Sequence, residues 1–179
     1  MQCSNCGATM RETTCPTCRR NLPENAKGPI DEITGLMLAG WGRRAGQAFA
    51  DGLVFVIPGY FIFSLFYELD GTSIAVAMTL VGIGAYFVPL WTSTRGQSLG
   101  NRVAVTRVRD AATGQRISFV QAFKRWAFVA VYAAFRFGPS PYVPILFYLV
   151  LVADCLYPLY DKRNQTLHDK FAGTIVVIA

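Results

Sequence analysis

Charge is scarce in this chain. Only 16% of its 179 residues are Asp, Glu, Lys or Arg, against 53% hydrophobic, where a soluble domain usually carries about a quarter charged. The scarcity is uneven. Residues 71–94 and 137–153 carry no charge, and residues 45–67 carry one, Asp51. Crossing a hydrocarbon core of ~30 Å takes about 20 apolar helical residues, and the mean hydropathy of +0.33 agrees with several crossings. A soluble protein with buried helices is disfavoured, because such helices seldom run past ~14 residues without a charge.

Other absences narrow the function. No early apolar stretch with a small-residue cleavage site precedes these runs, so the first span is expected to act as its own insertion signal. No basic stripe interleaved with exposed aromatics suggests a nucleic-acid groove, so the net charge of +6 reads as topology. No nucleophile–base pair, open metal site or phosphate loop appears, and "GWGRRAG" follows no strand, so it is no dinucleotide fingerprint. An enzyme is not expected. Solenoid repeats and low-complexity tracts are absent too.

What is present falls into three parts. Residues 1–22 hold Cys3, Cys6, Cys15 and Cys18 as CxxC–x8–CxxC. Two such turns aim four thiolates at one point, which suits a tetrahedral Zn²⁺ site of structural kind, closed to chemistry. The metal would hold a zinc-ribbon-like module too small for a core. A redox CxxC or disulfides fit less well, given no βαβ context and an expected cytoplasmic location. Residues 23–40 read as a linker. Residues 41–179 read as an all-α membrane domain, a bundle of about four transmembrane helices at about 45–67, 72–94, 119–137 and 143–160, with short β-like cytoplasmic segments. Cys155 reads as a small apolar filler.

The stretch 95–118, with Val103 and Val105 alternating against polar residues and "DAATGQ" as a turn, predicts a β-hairpin or extended segment at the membrane surface. The third helix is less plain, since Arg125 and Arg136 are separated by only about 15 Å of helix. Lys and Arg in short loops favour the cytoplasmic side. Placing the amino terminus, residues 95–125 and the tail together there satisfies all basic residues but Arg136. Residues 119–137 then cross, with Lys124 and Arg125 snorkelling to the interface; three spans plus a re-entrant helix is the other arrangement.

Two acids stand inside spans, Asp51 and Asp154. An ionised carboxylate at depth costs about 3 kcal/mol on insertion scales, so Asp51 needs a partner on another helix, water or a proton. Arg44 shares its helical stripe but lies two turns away, too far for a direct pair. Such acids mark ion or proton paths by default; a packing clamp between helices is the plainer reading. His168 and Asp169 are adjacent in the tail, and adjacency alone does not make a dyad.

Three motifs in order, "RRAGQAFADGLVF", "TRGQSLGNRVAVTRV" and "QTLHDKFAGTIVV", resemble the RDD family of bacterial membrane proteins, named for an arginine at the head of the first span and two aspartates. The resemblance covers about residues 41–179. It implies that Arg44 is the family arginine and Asp51 the mid-helix aspartate. Asp169 fits the second aspartate better than Asp161 does. Gly96 and Gly100 match the glycines of the "GQSLG" turn, and Arg125 a recurring arginine before the third helix. The family implies transport of unknown ligands in the bacterial cytoplasmic membrane, and the distribution of Lys and Arg places both termini in the cytoplasm. Four spans are few for alternating access, so transport would require a homo-oligomer. The alternative is a non-catalytic scaffold whose zinc module docks a cytoplasmic protein.

Overall fold

The computed structural model describes residues 28–70, 72–134 and 142–179, together with Cys3, Ala8 and Thr9. Of the expected zinc ligands, Cys6, Cys15 and Cys18 lie outside the described residues. Cys3 is buried, its N–H donating to the Ala8 carbonyl at 2.9 Å. The expected crossing of residues 135–137 and the position of Arg136 also lie outside them.

The charge-poor runs become helices. Helix α1 is Trp41–Asp70 and α2 is Thr72–Thr92. Pro58 removes one intrahelical hydrogen bond from α1, and the flanking pieces Trp41–Val54 and Pro58–Leu65 meet at 44°. Within α2, Ile74–Thr92 is long and apolar enough to cross a membrane; the bent α1 pair passes the same test when taken as one span. Helices α4, Phe119–Ala134, and α5, Val143–Leu156, are shorter, about 24 and 21 Å at 1.5 Å per residue.

The outward faces of these helices are greasy and their inward faces are charged. Phe49, Leu53 and Leu65 on α1, Met78 and Val81 on α2, and Leu149 and Val152 on α5 are exposed, while Arg44, Asp51, Arg125 and Asp154 are buried. In water this would leave large apolar patches uncovered. Next to acyl chains it is the favourable arrangement, since polar groups turn toward one another. Helix α4 packs on α2 and on a short helix of the tail, Leu167–Ala172. At the α2 contact a Cβ on Gly84 would lie 2.8 Å from the Trp126 ring, so only glycine admits the indole there.

Residues 95–118 do not pair with themselves. They form a short helix α3, Leu99–Val103, and a strand β1, Thr106–Asp110. The turn after Asp110, closed by Gly114 at φ +70°, leads straight into α4 instead of returning as a strand. The partner of β1 is the β-branched tail, β2, Thr174–Ile178, antiparallel with Thr106 opposite Ile178 and Asp110 opposite Thr174. Of the two expected forms, the hairpin is corrected to a long-range pair, and the extended segment is present as β1. Between α5 and β2 stand a 3₁₀ turn, Tyr157–Leu159, and α6, Leu167–Ala172, which ends on Gly173 in the left-handed conformation.

Residues 28–40 are more than a tether. Leu38 bridges Val177, and Ala39 N–H donates to the Val176 carbonyl at 2.9 Å. Alternation along β2 then builds two small cores. Val176 joins Ala39, Val88, Trp91 and Val108, while Ile175 and Val177 join Leu36, Leu38 and Ala111. Asp31 locks the segment down through a bidentate pair with Arg163 at 2.7 and 2.8 Å. The segment before α1, the strand after α2 and the tail after α5 therefore share one unit.

Candidate functional site

Asp51 has company. Its Oδ1 accepts from Gly100 N–H at 2.8 Å and its Oδ2 lies 2.7 Å from the Ser98 hydroxyl. That hydroxyl is equally close to Asn101 Oδ1 and has one proton to give. Asn101 Oδ1 already accepts Ser98 N–H at 3.1 Å, and a bond to a carboxylate is the stronger, so the proton belongs to Asp51. Tyr86 adds a long contact at 3.5 Å while accepting Leu99 N–H at 3.1 Å. The carboxylate thus ties α1 to the start of α3. Gly100 makes this approach feasible: a Cβ there would lie 2.3 Å from the Gln47 carbonyl oxygen. Gly96 serves differently, turning the chain at φ +63°.

Arg44 ignores Asp51 and reaches the other end of the sequence. Asp169, fully buried, accepts from Arg44 Nη2 and Thr166 N–H on Oδ2, and from Arg125 Nη1 and the Thr174 hydroxyl on Oδ1. All of its acceptor directions are used. Helix α6 aims this side chain through a capping box, in which Thr166 and Asp169 exchange side-chain and backbone bonds. Arg44 also donates to the Asn164 carbonyl at 2.8 Å. Arg125 lies over the Trp91 ring at 4.8 Å, and its Nε has no partner among the described residues. Its neighbour Lys124 stays exposed, so only Arg125 turns inward.

Burial by itself would push the Asp169 carboxyl up, but Arg125 and Arg44 outweigh it and hold it well below the usual carboxylate range. Asp31, beside Arg163, and Asp161, beside Lys170, are likewise lowered against the effect of burial. Carboxylates lowered in the folded state bind fewer protons than in the unfolded chain, so their contribution is complete above the ordinary value near 3.9 and is lost as pH falls through the lowered values. The melting temperature should therefore be flat in this respect from neutral pH to about 5 and drop steeply below about 4. Thermal unfolding in detergent across pH 7 to 2.5 checks this; stability already lost between pH 7 and 5 would contradict it.

Between α1, α4, α5 and α6 lies a cavity of about 380 Å³, walled by Trp41, Ala45, Ala48 and Leu151 and by the polar side chains of Arg44, Gln47, Arg125, Asp154, Thr166 and His168. Asp154 accepts His168 N–H on Oδ1 at 3.0 Å and faces His168 Nδ1 from Oδ2 at 2.7 Å. Three of the sequence-predicted residues, Arg44, Arg125 and Asp154, thus line this cavity, and Asp169 pairs with both arginines without lining it, while Asp51 binds Ser98 and Gly100. His168, which adjacency to Asp169 in the sequence did not mark as functional, belongs to the site. No local pattern signals it, because its partner lies on α5, across an irregular turn.

The RDD family profile matches residues 38–173. The chain belongs to the RDD family. The match takes in Arg44, Asp51, Arg125 and Asp169 and stops just short of β2. This RDD domain is of membrane type, with one clear apolar span among the described residues, Ile74–Thr92. Comparisons with curated proteins and with solved structures gave no match.

Proposed function

We propose that this RDD domain transports a small solute, or exchanges a cation for protons, across the bacterial cytoplasmic membrane through the cavity between α1, α4, α5 and α6. The carrying observation is that cavity: charged side chains from three helices and the tail converge on a space of about 380 Å³ inside an otherwise apolar bundle, where ionisable groups usually mark a path. Four crossings with both ends cytoplasmic fit the shared unit of β1, β2 and residues 28–40, which carries basic residues. A homo-oligomer would complete the machine. Asp51 in this reading is a clamp, its oxygens committed to α3, and the amino-terminal cysteines form a separate Zn²⁺ module.

Proton movement in pyranine-loaded vesicles of purified protein, driven by a Na⁺ or K⁺ gradient, tests this. Ala48→Trp, which fills the cavity without touching an ion pair, should lower the rate about tenfold or more, since 1–3 kcal/mol of overpacking opposes entry. Asp51→Asn should lower stability yet keep the rate per folded molecule. Loss of flux in Asp51→Asn at unchanged stability would return the path to Asp51. Undiminished flux in Ala48→Trp would reject the cavity. The full commitment of Asp51 and Asp169 to structural bonds also favours the scaffold reading. It gains if the wild type carries no flux and a partner co-purifies only while residues 1–25 are present.

A further inference from the structure

Asp154 and His168 are not used by either the Asp51 clamp or the Asp169 centre. We propose that His168 Nε2 is the proton acceptor of the cavity, and that Asp154 is the positioning residue that keeps this nitrogen bare in the neutral ring. The imidazole is held at two points on one carboxylate, by its own backbone N–H at 3.0 Å and by Nδ1 at 2.7 Å. An ionised carboxylate only accepts, so Nδ1 carries the hydrogen. The Thr166 hydroxyl, 3.1 Å from Nδ1, could donate to a bare Nδ1. That alternative would set a lone pair against Asp154 Oδ2, which is unfavourable.

With Nδ1 protonated, Nε2 holds the free lone pair of the neutral ring. Asp169 Oδ1, an acceptor itself, lies 3.9 Å from it. No donor reaches Nε2 among the described residues. The groups around the ring come from four elements. Asp154 and Cys155 lie on α5, Asp169 on α6, Arg44 on α1 and Arg125 on α4. Both guanidiniums are turned to Asp169, and among the described residues the close side-chain partner of the Asp154 carboxylate is His168. His168 is the chain's single histidine, and the bare nitrogen of a neutral imidazole is an acceptor.

The step is a plain proton transfer. A hydronium or protonated solute in the cavity gives its proton to Nε2. The new N–H bond forms as the donor's O–H or N–H bond breaks, its electron pair staying on the donor. The imidazolium then lies between Asp154 at Nδ1 and Asp169 near Nε2, and Asp154 remains ionised. Tautomer control by a carboxylate on the far ring nitrogen is a general device for holding an imidazole ready as a base. The consequence, coupling of this proton to a transported species, rests on the transport reading; the chemistry of the ring does not.

Because there is one histidine, ¹⁵N-histidine labelling of the full chain in detergent gives one pair of ring signals. At alkaline pH the wild type should show N–H at Nδ1 and a bare Nε2, and on acidification both nitrogens should carry hydrogen. Asp154→Leu removes the acceptor and should move the neutral ring to the Nε2–H form, with Thr166 donating to Nδ1. A wild-type neutral ring protonated at Nε2 would overturn the inference, whether or not the variant folds. An unchanged tautomer in Asp154→Leu would do the same. Vesicle flux separates the two ideas. Absent wild-type flux with an Nδ1–H ring sinks transport alone, and flux with an Nε2–H ring sinks the His168 role alone.

Discussion

Asp169→Asn should be the most damaging single substitution in the RDD core. Removing one partner of a buried ion pair costs about 3–5 kcal/mol, because the other charge is left without compensation. Here two charges are left. Arg44 is 8% and Arg125 2% exposed, and both give a guanidinium nitrogen to the one carboxylate. An amide at position 169 would keep one oxygen but turn an NH₂ toward a guanidinium. Arg44→Met is the informative contrast: it leaves the Arg125–Asp169 pair intact and charge-balanced, so it should cost less, despite the lost bonds to Asn164 and Thr166. Trp91 lies beneath Arg125, so tryptophan fluorescence during thermal unfolding is a suitable readout. The melting temperature of Asp169→Asn should fall on the order of 10 °C. A fall no larger than that of Arg44→Met would mean that the shared acid is not what neutralises the centre.

Gly100→Ala is expected to be nearly as harmful, for a steric reason. The added Cβ would lie 2.3 Å from the Gln47 carbonyl oxygen, 2.5 Å from Asp51 Cγ and 2.6 Å from Asp51 Oδ2. The first of these is helical backbone in the second turn of α1 and cannot swing aside. Helix α3 would have to retreat, stretching the Gly100 N–H and Ser98 bonds to Asp51. Overpacking costs about 1–3 kcal/mol, and a weakened hydrogen bond to a charged group about 1.5–3 more. Gly52→Ala is the matched control, one residue from Asp51 with nothing within 4 Å of the new carbon. It should stabilise by about 0.5–1 kcal/mol through helix propensity. Equal melting temperatures for the two alanine variants would show that α1 and α3 do not meet as closely as described.

Much of the helical layout was legible beforehand. Charge-poor runs became α1, α2 and α5, whereas the packing of residues 28–40 and β1 against the tail was not read from the sequence, which made 23–40 a linker. The demand that Asp51 be accompanied was also legible, since it follows from the cost of a carboxylate among apolar neighbours. Less could be read where partners are remote. Residues 95–118 read as a hairpin or an extended segment, with "DAATGQ" as the turn; the extended piece, β1, is there, yet it pairs with a strand more than sixty residues later. His168 gave no sign at all, since its partner Asp154 is fourteen residues back, across the end of α5.

Which segments shun water, and which side chains cannot stay there alone, are properties of residue type and run length, so the linear chain decided them. Tertiary structure alone decided the companions: Ser98 and Gly100 for Asp51, two arginines for Asp169, Asp154 for His168. Such pairings depend on where distant elements meet after packing, and alternation or spacing along the chain carries no record of that.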